Sequence, residues 1–298
     1  MKTKAKSTFL LFLTAIIWGF AFVAQRVGAE FVGAFTFNGI RFLLGSLSLV
    51  PVILIFEREK FEKTKFIKTL LPSLLAGTIL FIASTLQQLG VEWTGSAGKA
   101  GFLTGLYIVL VPIIRLFGGK KTSILTFFGA MFALVGLFFL CMTGDELTFG
   151  KGDVVLIIGA FFWAAHILVV DKYVNNISPL KFSMMQFFVC GLLSIIFALC
   201  TETIEFSAIK SAGIPILYGG LMSVGVAYTC QILGQKDADP TFASIVFSTE
   251  SVFSAIGGAI ILNEIMSGRG YLGCVLIFIG IVLSQLNIVS FQKNKISF

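Results

Sequence analysis

Ten apolar stretches, each about 20 residues long, constrain the fold of this chain most strongly. Numbered one to ten, they cover roughly residues 8–27, 35–56, 67–89, 96–117, 123–142, 153–171, 180–200, 213–234, 241–262 and 271–290. Runs of that length cross a bilayer as α-helices, whereas barrel strands are about 10 residues long and alternate apolar with polar side chains. Only 12% of the residues are charged. The sequence therefore predicts an all-α polytopic membrane protein, with the first stretch kept as a helix rather than cleaved as a signal peptide.

The chain repeats itself at a spacing of 144 residues. The matched pairs are Gln87 with Gln231, Leu89-Gly90 with Leu233-Gly234, Gly129 with Gly273, and Gly136 with Gly280. Toward the N-terminus the spacing becomes 145, which aligns Trp18 with Trp163. Each half holds five stretches, and an odd number of crossings inverts the second half in the membrane. We therefore expect ten transmembrane helices in two inverted five-helix repeats, residues 1–143 and 150–290, around a central cavity.

The positive charges are distributed unevenly between the two faces. Fifteen fall at the termini and in the loops of one side: Lys2, Lys4, Lys6, Arg58, Lys60, Lys63, Lys65, Lys68, Lys120, Lys121, Lys172, Lys181, Lys236, Lys293 and Lys295. The other side carries Lys151, Lys210 and Arg269, with Arg26 at a helix end. Because cytoplasmic loops are enriched in Lys and Arg, this predicts a multi-pass plasma-membrane protein with both termini in the cytoplasm. The net charge of +7 then reflects topology, and no nucleic-acid partner is expected.

Polar side chains inside the stretches indicate which helices face a cavity, because unpaired polar groups are costly in hydrocarbon. Stretches five and ten are nearly free of them, and their glycines recur every seven residues, which is typical of close helix packing. Stretches one, three, six, eight and nine carry polar groups. The candidate cavity residues are Trp18, Gln25, Gln87, Trp163, His166, Tyr228, Gln231 and Glu250. The serine-rich face of stretch nine fits either the cavity or a tight packing seam.

Depth within the membrane divides these candidates. Trp18 and Trp163 lie about halfway along their stretches, away from the interface that tryptophan prefers. This suggests a binding platform, although packing alone would also account for the position. Gln87 lies near the outer end of stretch three and Gln231 near the inner end of stretch eight, so we assign them to opposite mouths of the cavity.

Three ionisable residues lie inside the apolar stretches, and one proline lies inside stretch four. Glu250, at mid-depth, has three possible roles: a helix-kink residue bonded to nearby serines, a counter-charge for a cationic or zwitterionic substrate, or a proton-coupling carboxylate. His166 is the second candidate for proton coupling, or else a polar group satisfied by a neighbouring helix. Arg41, in the outer third of stretch two, is expected to be structural, with its side chain reaching toward the interface and Glu30 as its partner. Pro112 is expected to kink stretch four.

The common enzyme signatures are absent from the sequence. The five cysteines lack metal-ligand spacing, and the sequence contains neither a phosphate-binding glycine loop nor a usable Ser/His/Asp arrangement. We therefore expect no catalytic residues, no metal and no cofactor. A built-in ATPase is excluded by the missing nucleotide motif.

Three segments resemble the EamA-type transporters of the drug/metabolite transporter superfamily. They are AIIWGFAFVAQRVG (15–28), TLQQLGVEWTGSAGKAGFLTGLYIVLVPII (85–114) and ASIVFSTESVFSAIGGAIILNE (243–264). In the last segment the family commonly has Leu-Glu-Pro-Val. Glu250 and Val252 match that motif, whereas Ser251 replaces the proline that kinks the helix. The resemblance covers residues 8–290 and implies two inverted repeats, with helices one, three, four, six, eight and nine lining the cavity.

The repeat and the resemblance together predict a secondary active transporter that works by alternating access. The resemblance implies a small polar organic substrate, amino-acid-like or amine, and favours export or exchange across the plasma membrane. A membrane receptor or scaffold that binds a small ligand without moving it is the alternative, and a passive channel is a third. Expected partners are the substrate, membrane lipids and a coupling proton or counter-substrate, in a monomer or homodimer.

Overall fold

The computed structural model describes residues 2–56, 63–95, 97–119, 123–141, 149–261 and 267–296. The helices are α1 Lys2–Ala29, α2 Ala34–Phe56, α3 Lys63–Thr94, α4 Ala97–Gly105, α5 Tyr107–Phe117, α6 Ile124–Cys141, α7 Lys151–Tyr173, α8 Pro179–Thr201, α9 Phe206–Ser211, α10 Gly213–Leu217, α11 Thr229–Gln235, α12 Pro240–Phe247, α13 Glu250–Ile261 and α14 Gly268–Ile296, with a π-helical segment, Tyr218–Tyr228, between α10 and α11. Every predicted stretch is helical over most of its described residues. Among those residues, eight spans are long and apolar enough to cross a membrane, and the two shorter apolar helices are Ile124–Leu140 and Gly268–Ser284.

Corresponding helices of the two halves pack against each other. α2 contacts α8, and α6 contacts α14. α1 contacts the π-helical segment and α11, in the same way that α7 contacts α3. The packing therefore follows the sequence repeat.

The loop between stretches two and three is shorter than predicted. Helix α3 begins at Lys63 rather than near residue 67, and residues 57–62 lie outside the described part of the chain.

The contact between α6 and α14 runs along the two predicted glycine stripes. A Cβ atom on Gly129 would lie 2.5 Å from the carbonyl oxygen of Gly280, and one on Gly136 would lie 2.6 Å from that of Gly273. Real Cβ atoms do not approach that closely, so only glycine allows these two backbones to touch. The predicted small-residue packing of stretches five and ten is confirmed.

Stretches four and nine are interrupted at matching positions. α4 ends at Gly105 and α5 begins at Tyr107, while α12 ends at Phe247 and α13 begins at Glu250. At the spacing of 144, Leu106 pairs with Glu250, so the two interruptions fall within two residues of each other in the repeat. The break in stretch four falls at Leu106 rather than at Pro112, which lies inside α5.

Hydroxyl groups bond to the backbone at the break in stretch nine, where the sequence has no proline. Ser248 Oγ donates to the Ile245 carbonyl at 2.6 Å, and Thr249 Oγ1 donates to the Val246 carbonyl at 2.7 Å. The Thr249 N–H also bonds only three residues back, to Val246 at 3.1 Å. Hydroxyls that bond back to their own helix compete with the backbone ladder and bend it. The serine-rich face therefore shapes the helix instead of lining the cavity.

Candidate functional site

A cavity lies between the two halves. Seven of the eight predicted residues line it: Trp18, Gln25, Gln87, Trp163, Tyr228, Gln231 and Glu250. The lining also includes Arg41, Thr104 and Tyr107, which sequence reasoning did not select. Stretches one, two, three, four, six, eight and nine all contribute, so both halves build the site.

Tyr228 lies between the two tryptophans. Its ring centroid is 4.7 Å from that of Trp18, in an edge-on arrangement, and 6.3 Å from that of Trp163, at an interplanar angle of 19°. Phe247 adds a fourth ring, 5.4 Å from Trp18. Trp18 and Trp163 therefore belong to one aromatic cluster in which Tyr228 contacts both, and their role as a binding platform stays a prediction.

Trp18 is positioned by close contacts of α1 with the second half. Its Nε1 donates to the carbonyl of Ser223, within the π-helical segment, at 3.3 Å. The next residue, Gly19, faces α13, where an added Cβ would lie 2.6 Å from the Glu250 carbonyl oxygen. Thr14 Oγ1 also donates to the Ala227 carbonyl at 3.0 Å. The Trp-Gly pair thus brings the α1 backbone against the interruption in stretch nine and places the indole in the cavity.

Glu250 is the acidic residue of the cavity lining and is 6% exposed. It is the first residue of α13, and its Oε1 accepts a hydrogen bond from the Tyr107 hydroxyl at 3.1 Å. Tyr107 is the first residue of α5, so the bond joins the two helix interruptions across the halves. Within the described part of the chain, Tyr107 and not a serine is the side-chain donor to this carboxylate.

Arg41 is the basic residue among the described lining residues and is 3% exposed. Its Nε donates to Asn38 Oδ1 at 3.0 Å, and Asn38 Nδ2 donates to the Ser84 carbonyl at 3.1 Å. The guanidinium carbon lies 5.4 Å from the Phe37 ring centroid and 5.0 Å from that of Phe42. Two aromatic faces and one amide therefore hold the charge inside the protein.

The expected partnership of Arg41 with Glu30 is wrong. Glu30 is exposed, and in the described part of the chain no ion pair joins it to Arg41. The side chain turns inward because α2 packs against the π-helical segment, where Gly219 leaves room for the arginine stem. The sequence did contain a usable signal, since a charge inside a membrane helix is a functional-site hypothesis by default.

The glutamines bond to one another at both ends of the cavity. Gln87 Nε2 donates to Gln25 Oε1 at 3.2 Å, and Gln88 Nε2 donates to the Gln25 carbonyl at the same distance. Gln231 Nε2 donates to Gln235 Oε1 at 2.9 Å. Gln25, Gln87 and Gln231 line the cavity, and the assignment of Gln87 and Gln231 to opposite mouths stays a prediction.

His166 lies outside the cavity lining and is fully buried. Its Nε2 is 3.0 Å from Gln186 Oε1 on α8. Its ring lies edge-on behind Trp163 and Tyr228, at centroid distances of 6.3 and 6.2 Å. The structure thus gives His166 a partner on a neighbouring helix and separates it from the cavity by two aromatic rings.

Comparison with known proteins follows the same division of the chain. The model of the EamA-like transporter family matches residues 5–142 and again 150–286. The chain belongs to this family. EamA-like transporters are multi-pass membrane proteins, and the two family domains of this one meet at the cavity.

Curated relatives match this EamA-like transporter over most of its length. An uncharacterized transporter of Archaeoglobus fulgidus is 27% identical over 284 residues, which cover 93% of this chain and 85% of the relative. The aromatic amino acid exporter YddG of Salmonella typhimurium is 21% identical over 311 residues, covering 95% and 98%. A solved crystal structure with 17% identity has a TM-score of 0.79 and covers 95% of this chain and 97% of its own, which shows a shared fold.

Proposed function

We propose that this EamA-like transporter is a secondary active transporter that moves a small polar organic metabolite, amino-acid-like or amine, by alternating access. One observation carries the proposal. Glu250 lies in a cavity shared by both halves, at the junction of two helix interruptions and beside a cluster of aromatic rings. A carboxylate attracts an ammonium group, and aromatic faces add roughly 0.5–2 kcal/mol to the binding of a cation.

We further propose that the two repeats span residues 1–143 and 150–290 and that both termini face the cytoplasm at the plasma membrane. The charge asymmetry of the loops supports this orientation. Export or exchange is the proposed direction, supported by the relative that is named an aromatic amino acid exporter.

Alternating access needs contacts between the halves that break in turn. In the proposed orientation, an ion pair closes the inner mouth: Arg115 Nη1 lies 2.6 Å from Asp239 Oδ2 and 2.7 Å from Oδ1. Arg115 belongs to α5 of the first half, and Asp239 caps α12 of the second. A partly exposed ion pair contributes little to stability, so it is suited to breaking in each cycle.

Counterflow in proteoliposomes tests the proposal. We expect a high internal concentration of unlabelled aromatic amino acid or amine to accelerate the uptake of the same labelled compound, because a carrier exchanges substrate faster than it returns empty. A scaffold would show binding without uptake. A channel would equilibrate the label at a rate that internal substrate does not change, and either result would contradict the proposal.

A further inference from the structure

We infer that Arg41 binds a carboxylate group of the substrate and thereby selects acid-bearing compounds over plain amines. The inference rests on the proposed transport function, because it assigns the second charged position of the same cavity. It also decides between the two substrate classes that the proposed function leaves open.

The unused donors of Arg41 carry the argument. A guanidinium has five N–H donors. The Nε donor of Arg41 is occupied by Asn38, and within the described part of the chain the two terminal nitrogens have no acceptor and no carboxylate within 4 Å. Leaving a buried charge without a counter-charge is costly. The two phenylalanine rings compensate only part of that cost, because a cation–π contact is weaker than a desolvated ion pair.

The free edge of the guanidinium matches a carboxylate. Its two terminal nitrogens form a planar fork that binds both carboxylate oxygens at once. Asn38 is itself fixed by the Ser84 carbonyl, and it holds the guanidinium by the Nε edge only. The arginine stem packs against Gly219, where an added Cβ would lie 3.3 Å from Arg41 Cδ. Asn38 is therefore a positioning residue that leaves the binding edge of Arg41 unoccupied.

Arg41 and Glu250 line one cavity, yet in the described structure they do not form an ion pair with each other. A ligand with both an ammonium and a carboxylate group would satisfy the two charges together. A plain amine would leave Arg41 unpaired, and a plain acid would leave Glu250 unpaired. Sites that hydrogen-bond a ligand group discriminate strongly against ligands that lack it, because the site's own polar groups then stay unsatisfied.

Three matched probes test the assignment on the purified full-length protein: tryptophan, tryptamine, which lacks the carboxylate, and indole-3-propionate, which lacks the amine. Isothermal titration with wild-type protein should rank tryptophan first. Arg41→Gln should weaken the affinity for tryptophan and indole-3-propionate by about tenfold or more, since it removes a charge-assisted bidentate contact. The affinity for tryptamine should change by less than about twofold. Arg269→Gln is the control, because Arg269 also packs on two phenylalanines, Phe138 and Phe139, but lies outside the cavity.

A second variant keeps the test decisive if Arg41→Gln fails to fold. Asn38→Asp supplies an internal carboxylate to Arg41 with almost no change of shape, so it should weaken tryptophan but not tryptamine. Wild-type tryptophan affinity in both variants would overturn the inference, as would an equal loss for tryptophan and tryptamine at unchanged thermal stability. Tryptamine binding as tightly as tryptophan to the wild type would overturn it while leaving transport intact. Absence of counterflow with all three probes would instead refute the proposed function together with the inference.

Discussion

Glu250 and Tyr107 form a hydrogen bond that exists only when the two halves are assembled. Each residue begins a half-helix, one in each repeat, and both line the cavity. A change in the relative position of the halves would lengthen or break this bond. The bond therefore depends on the relative position of the halves, and in the proposed function the same carboxylate also contacts the substrate.

Glu250→Gln separates the roles that this carboxylate could have, because the amide keeps the shape but loses the charge. If Glu250 is a counter-charge, we expect the affinity for amine-bearing substrates to fall by at least about tenfold, with neutral substrates affected less. If it couples protons, exchange should continue while pH-driven accumulation is lost, since exchange needs no protonation cycle. Counterflow and pH-jump uptake measured on the same proteoliposomes distinguish the two outcomes. Normal rate, affinity and pH dependence would remove Glu250 from the site.

At the scale of single residues, depth and polarity in the sequence identified candidate cavity residues. Residues whose role depends on packing were missed. Glu250 and the two tryptophans could be found because their distance from the stretch ends is readable in the sequence. The Arg41 side chain was expected to reach the membrane interface. A long side chain can point either to the interface or to the interior, and only the packing of α2 decides between them. Tyr107 was missed because its role depends on a partner 143 residues away.

Among the elements, the two interrupted spans place Tyr107 and Glu250 in the cavity lining. The sequence predicted a kink at Pro112 in stretch four and offered a helix-kink role for Glu250 in stretch nine, but hydrophobicity alone does not show where a helix breaks. At the break in stretch nine, hydroxyl groups bond back to their own helix, and Glu250 follows at the start of α13. Hydrophobic periodicity did not reveal the π-helical segment in stretch eight either, and such segments are frequent at functional sites.

Ser248→Ala combined with Thr249→Val should restore a continuous helix, because the Ile245 and Val246 carbonyls both lose their hydroxyl donors. We expect transport to fall by about tenfold as Glu250 moves away from Tyr107, with thermal stability unchanged or raised by a few tenths of a kcal/mol per residue. Counterflow rate and melting temperature measured together check this. Thr78→Val is the matched control, because its hydroxyl also bonds back to its own helix, at 2.8 Å from the Leu74 carbonyl, where α3 is uninterrupted. Full transport in the double variant would show that the hydroxyls do not shape the site.

For the whole molecule, the repeat was the most reliable guide. It predicted the two-repeat architecture, which the two family matches bear out, and the glycine spacing of stretches five and ten predicted their contact. The substrate class could not be predicted in the same way. It depends on a few charged groups in the cavity, and their orientation follows from tertiary packing.

Alternating access also requires that the two mouths open reciprocally, and Asp239→Asn perturbs one of them selectively. Asparagine retains the ability to cap α12 but loses the charge that holds Arg115. The inner mouth should therefore open more often without loss of the helix. Asp237→Asn, in the same loop and exposed, controls for the loss of a negative charge.

The most direct measurement is labelling of single cysteines at Gln87 and at Gln231 by an impermeant thiol reagent, in a background without the native cysteines. Gln87→Cys is probed from outside and Gln231→Cys from inside, each with and without Asp239→Asn. Alternating access predicts that Asp239→Asn raises inner labelling several-fold and lowers outer labelling in the same preparation. Labelling that rises at both positions, as in a channel, or that changes at neither, as in a static scaffold, would contradict the account.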